Sequence, residues 1–157
     1  KQLQGTGTGA APVQLTGSIV EEVTLLPRQI RTAGNHVYTL NNTKFKNAII
    51  VLDIYGITGN FGAEDGIQLA CYVQPTGRAY GDRGVAVSTN VTKLSSVVSH
   101  QIHIGSGTSE SLTESTNSKV RGIAVLPMPA IRVVAKITGT FAAGEGFDCS
   151  VKAYLIP

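Results

Sequence analysis

The sequence predicts an all-β domain built as an antiparallel β-sandwich, and three observations carry that prediction. Segment after segment alternates apolar with polar residues, the period of a strand with one buried face. Turn-forming residues punctuate those segments, with 18 glycines in 157 residues and abundant Ser, Thr and Asn. No stretch sustains helical spacing with confident start and stop signals.

The alternation is clearest near the C-terminus. Ile131, Val133, Ala135 and Ile137 fall on one face of a strand, and Phe147, Cys149, Val151, Ala153 and Leu155 on one face of another. Gly139 to Gly146 supply the turn between them. The pair is expected to form an antiparallel hairpin near the centre of the sandwich, with Arg132, Lys136, Asp148 and Lys152 on its outer face.

Taken in order, residues 1–17 form a Gly/Thr/Gln/Pro stretch without periodicity, read as a flexible or extended N-terminal arm. Gly5, Gly7 and Gly9 lack the flanking strand and helix of a phosphate-binding loop. Residues 18–157 suit a single domain. Ser18 to Leu26 is β-prone and Pro27 should stop it, leaving Gln29 to Thr32 as a short edge strand. Gly34-Asn35 is a turn signal, and Val37 to Leu40 is a strand closed by Asn41-Asn42.

Asn47 to Gly56 is apolar on both faces, as expected of a central strand covered on both sides. Asp53 interrupts it and should be hydrogen-bonded or near an edge, because an unpaired buried carboxylate is costly. A loop over 58–66 leads to the alternation Ile67, Leu69, Cys71, Val73. Pro75 to Gly77 turns, 78–83 is loop-like, and Gly84 to Ser88 resumes a strand. Residues 90–104 mix signals: Val91, Leu94, Val97 and Val98 have helical spacing, but β-branched content favours strands. Residues 105–118 read as a long loop, and Val120 to Leu126 as a strand. About eight to ten short strands suit a jelly-roll or immunoglobulin-like sandwich.

Composition narrows the function classes. Charged residues make up 15% of the chain, against roughly 25% in typical soluble domains, consistent with a surface partly covered by other subunits. The net charge of +3 comes from scattered Lys and Arg without an aromatic platform, so no nucleic-acid partner is expected. The longest apolar run, Ala48 to Leu52, is far short of the ~20 residues of a membrane helix, and no membrane partner is expected. The N-terminus carries no apolar signal-peptide core.

Candidate sites were weighed on spacing. His100 and His103 stand three apart, so on a strand they point to opposite faces and do not converge on a metal; both are expected to be exposed structural histidines. His36 lies in a turn. Asn60, Glu64 and Asp65 offer oxygens but lack the alternating acidic pattern of a calcium loop. Glu110 and Glu114 carry no glycosidase signature. Cys71 and Cys149 each sit on an apolar face and are expected to be small buried thiols, with a disulfide between sheets left open. No Gly-x-Ser-x-Gly elbow is present, and Asn41-Asn-Thr and Asn90-Val-Thr are taken as chance glycosylation matches. The expectation is no catalytic residue, no metal, no cofactor and no enzyme activity.

Two blocks resemble small β-sandwich structural proteins of tailed bacteriophages. One runs Lys46-Asn-Ala-Ile-Ile-Val-Leu-Asp-Ile-Tyr-Gly-Ile-Thr-Gly59 and continues in Gly66-Ile-Gln-Leu-Ala-Cys-Tyr-Val-Gln-Pro-Thr-Gly77. The other runs Pro129-Ala-Ile-Arg-Val-Val-Ala-Lys-Ile-Thr-Gly-Thr140, then Gly146-Phe-Asp-Cys-Ser-Val-Lys-Ala-Tyr-Leu155. The resemblance covers about a third of the chain, at strand and turn positions, so it transfers no site residues. It implies a virion component made in the host cytoplasm, of capsid decoration (cement) type. Such a protein binds the major capsid protein on the head's outer surface as a homotrimer. A tail or head–tail connector role is the alternative, and a carbohydrate- or receptor-binding sandwich a further one, weakened by the absence of Trp.

Overall fold

The computed structural model describes residues 20–41, 45–59, 62, 65–74, 85–89, 99–105, 112–114, 118–123 and 130–157. The proposed arm, the candidate loop residues Asn60, Glu64 and Glu110, and the residues of the ambiguous stretch before Ser99 lie outside them. Among the described residues ten strands run in chain order: β1 (Glu21–Arg31), β2 (Gly34–Asn41), β3 (Asn47–Thr58), β4 (Gly66–Gln74), β5 (Val85–Ser88), β6 (Ser99–Ile104), β7 (Leu112–Glu114), β8 (Ser118–Ile123), β9 (Ala130–Thr138) and β10 (Gly146–Ile156).

They form two sheets, ordered β1-β10-β3-β6-β8-β7 and β2-β9-β4-β5. Every neighbouring pair is antiparallel except β6 with β8. The chain steps from sheet to sheet at β1–β2, β2–β3, β3–β4, β5–β6, β8–β9 and β9–β10, and four strands (β1, β10, β3, β6) face four (β2, β9, β4, β5). This interleaving is a jelly roll, and it sets the immunoglobulin-like alternative aside. The β7–β8 pair extends the larger sheet beyond that frame.

The core fills the space between the sheets. Ile50, Leu52, Ile102, Ile104, Phe147, Cys149, Val151 and Ala153 come from the larger sheet, and Ile67, Leu69, Cys71, Val73, Ile131, Val133 and Ala135 from the smaller. All are almost wholly buried, and at about 1.5–3 kcal/mol per large apolar side chain this layer is the main favourable term in the fold. Phe141, in the β9–β10 connection, packs edge-on to Phe147 at 6.3 Å between centroids.

Five expectations change. The C-terminal strands are not a hairpin: β9 pairs with β2 and β4, and β10 pairs with β1 and β3, in opposite sheets. A strand with one apolar face can bury it beside its sequence neighbour or across the sandwich, and here residues 139–145 cross between the layers. Accordingly Arg132 and Lys136 lie on the outside of one sheet, and Asp148 and Lys152 on the outside of the other. Pro27 does not stop β1, which runs through it with register shifts at Thr24/Leu26 and Leu26/Gln29. An edge strand tolerates a residue without N–H at a bulge. β3 is central but covered on one face only: Ala48, Ile50, Leu52 and Ile54 are buried, while Ile49, Val51 and Asp53 are half-buried and Tyr55 is exposed. The long loop of 105–118 contains β7, and β8 starts at Ser118.

One close approach fixes where β1 joins β10. Gly146 has φ +153°, and a Cβ there would overlap the backbone carbonyl of Arg31. Only glycine meets both conditions.

Candidate functional site

The histidines come first because they are the chain's most versatile groups at neutral pH. β6 alternates inward and outward, which sends His100 with Ile102 and Ile104 into the core and turns His103 out. The two do not converge, as their spacing required. The expectation of an exposed His100 is overturned: it is fully buried. Its Nδ1 lies 2.7 Å from Oγ1 of Thr89, just past β5 in the facing sheet. That hydroxyl already accepts the N–H of Leu69 at 3.1 Å, and the Thr89 N–H donates to the Leu69 carbonyl at 3.0 Å.

The hydroxyl can also donate to the Leu69 carbonyl at 3.4 Å, so the direction of its bond with Nδ1 follows the imidazole tautomer. Desolvation, aided by the positive charge of Lys119, lowers the His100 pKa to about 4. His100 is a polar clasp between the sheets. On the outside, His103 Nε2 sits 3.0 Å from the Gln101 side-chain oxygen, and partial burial lowers its pKa as well. His36 lies within β2 rather than in a turn and reaches the Thr32 carbonyl at 2.8 Å.

Cys71 and Cys149 are buried, as expected, and both are free thiols. Burial pushes Cys149 up to about 11, against a downward pull from Arg31 and with a smaller upward push from Asp148. Burial alone raises Cys71. Both stay protonated at neutral pH, which suits packing and not nucleophilic attack. Arg31 Nη2 donates to the Pro27 carbonyl at 2.6 Å, a side-chain tie within β1.

Asp65 is buried and accepts the Gly62 N–H at 2.8 Å, while its own N–H donates to the Gly62 carbonyl at 3.1 Å. It thus ties its loop, and its carboxylate fills the space a Cβ at Gly139 would need. Asp53 lies on the outer face of central β3, in register between Ser150 and Ser99. It is half-buried and away from the sheet's edges, between β10 and β6; partial burial raises its pKa and Lys152 opposes that rise. Among the described residues no group of three His, Cys, Asp or Glu side chains could hold a metal ion.

What the surface does gather is a mixed patch. Arg28 of β1 makes a forked contact with Asp148 of β10, Nη2 to Oδ2 at 2.9 Å and Nε to Oδ1 at 3.2 Å. Its guanidinium lies 4.0 Å over the ring of Tyr55, a cation–π arrangement. The Tyr55 hydroxyl meets Ser150 at 3.0 Å. Nearby, Lys152 pairs with Glu22 at 2.9 Å. The exposed large apolar side chains among the described residues are Val20 and Ile30 at β1, Val37 and Tyr38 on β2, and Tyr55 on β3. β1 and β2 are the edge strands on one side of the sandwich, and β3 is only one strand removed from β1. Sequence reasoning missed this patch because the bulges around Pro27 decide where Arg28 points.

Comparison with protein-family models, curated proteins and solved structures finds no match.

Proposed function

We propose that this protein is a structural component of a tailed-bacteriophage virion, a decoration protein that binds the major capsid protein on the outside of the head as a homotrimer. Jelly rolls serve in viral shells and also in lectins and cupins, so the fold alone does not choose among them. The resemblance of the β3–β4 and β9–β10 blocks to phage sandwiches supports this reading. One observation carries it further: among the described residues, four of the five exposed large apolar side chains belong to the edge strands β1 and β2 or to the residue just before β1, while the buried His and Cys serve packing.

A decoration protein needs contact area, not chemistry. Shallow contacts repeated by symmetry add up through effective concentration, so a modest patch and an arm suffice to hold a shell together. Residues 1–17 are the second contact element in this reading, since a segment that orders on binding can span a joint between subunits. The test is to locate the protein in images of intact particles and count its copies. Density on the outer head surface in threefold groups is the expected result. A ring at the tail or neck selects the connector alternative. Deleting residues 1–17 should lower head occupancy, and unchanged occupancy rejects the arm as a contact.

A further inference from the structure

Among the described residues the two sheets end in four edge strands, and they are not equivalent. β7 and β5 span only Leu112–Glu114 and Val85–Ser88, and short edge strands offer little to pair with. β1 is long but carries Pro27 and two register shifts, with Glu21, Glu22 and Arg28 exposed along it. These features all discourage a further strand. β2 has none of them. It runs Gly34–Asn41 in unbroken register with β9, without Pro, Lys, Arg, Asp or Glu, and with Val37 and Tyr38 exposed at its middle. In an antiparallel pair every second residue turns its N–H and C=O away from the partner. Among the described residues no strand pairs with that side of β2.

We propose that the free edge of β2 is a strand-acceptor site, and that its occupant is the N-terminal segment of a second copy of this chain. A whole sandwich is a poor occupant. Docking β2 to β2 would bring each copy's β1 edge along, with Pro27 and its charges to desolvate, and β5 and β7 are too short to substitute. A single extended segment meets β2 alone. The chain has such a segment: nineteen residues precede Val20, with Lys1 their one charged side chain. Extended, they reach on the order of 60 Å. Their small, uncharged residues match an edge that has no charge to answer.

Direction argues for exchange between copies. β1 and β2 are joined through Thr32 and Ala33, so β2 finishes at the end of the sandwich where β1 starts. A segment turning straight back from Val20 would run parallel to its own β2, whereas the stronger antiparallel ladder is open to a neighbour's. A donated strand is also a head-to-tail contact, the kind that forms a ring where its rotation closes and a filament where it does not. The inference rests on reading residues 1–17 as a contact arm. Because it is tested on the purified chain, its failure leaves the virion assignment standing.

The test is mass in solution, by light scattering, on three chains: the full chain, a chain lacking residues 1–17, and the full-length double variant Val37→Lys/Thr39→Lys. Both substituted positions are exposed on β2, and circular dichroism checks that the sheets remain. The full chain should run at a multiple of 16.4 kDa, and each altered chain should associate at least tenfold more weakly. Mixing the two altered chains should produce a one-to-one complex, because one supplies the acceptor edge and the other the arm. A monomeric full chain, undiminished assembly of the double variant, or a mixture that fails to combine would each overturn the proposal. If the double variant loses its sheet signal, Thr39→Lys alone replaces it under the same criteria.

Discussion

β1 and β2 are consecutive in the chain and both form edges on the same side of the sandwich, yet they manage that position in opposite ways. β1 is held along its whole length by β10, then bent twice, interrupted by Pro27 and dressed with charge. β2 is straight in register and uncharged. An exposed ladder of N–H and C=O groups invites pairing, and natural sheets blunt it with the devices seen on β1. Their absence from β2, which starts at Gly34 directly after the Thr32–Ala33 connection, is the kind of local difference that marks a surface for use.

The comparison breaks most severely where β1 is anchored. Gly146→Ala puts a Cβ against the Arg31 carbonyl at a φ that side chains avoid, combining strain with overpacking, and should cost about 4 kcal/mol. Urea unfolding measures the loss, and a loss below about 1 kcal/mol would show that β1 can shift away from β10. β1 should loosen first by hydrogen exchange, with β2 protected for longer.

Acid is the next largest perturbation and acts on the clasp between the sheets, away from both edges. His100 has its folded pKa lowered to about 4 from 6.5, so the unfolded chain binds the proton more readily. Its contribution to stability is complete above pH 6.5 and is lost as pH falls from there toward 4. That loss is about 3 kcal/mol at 1.36 kcal/mol per pKa unit. His100→Gln should flatten this slope in denaturation midpoints taken across that window, and an unchanged slope assigns it to other groups.

Smaller effects sharpen the contrast between the edges. Pro27→Thr removes one guard from β1 at an exposed position and should change stability by less than about 0.5 kcal/mol. Its readout is association: light scattering on the chain lacking residues 1–17 should rise, and no rise would leave the bulges and charges as the sufficient guards. The smallest change is expected from Arg28→Ala, which removes an exposed ion pair and its stacking on Tyr55. Added salt should erase most of the difference in melting temperature between that variant and the parent.

Much of this architecture was legible in residues. Period-two alternation named β4, β9 and β10 and their inner faces, because one-sided burial leaves a direct trace in sequence; β3 was read as covered on both faces and β6 was favoured on β-branched content alone. It also contained His100, which shares parity with Ile102 and Ile104; the signal was there, but a polar side chain was read as exposed. Cys71 and Cys149 were read correctly because small apolar thiols obey the same parity. Candidate chemistry was harder to read, since the Arg28, Asp148 and Tyr55 cluster joins three strands from opposite ends of the chain.

By itself, then, the sequence determined that this is an all-β protein, where most strands fall and which side chains face inward, since these follow from local backbone geometry and the avoidance of water. Only the tertiary structure decided that β9 and β10 part into different sheets, that Pro27 sits within a bulged edge, and that His100 meets Thr89 across the core. Each of those depends on which strand lies beside which. Apolar faces are satisfied by many partners, and the choice among them is made by the packing of the whole.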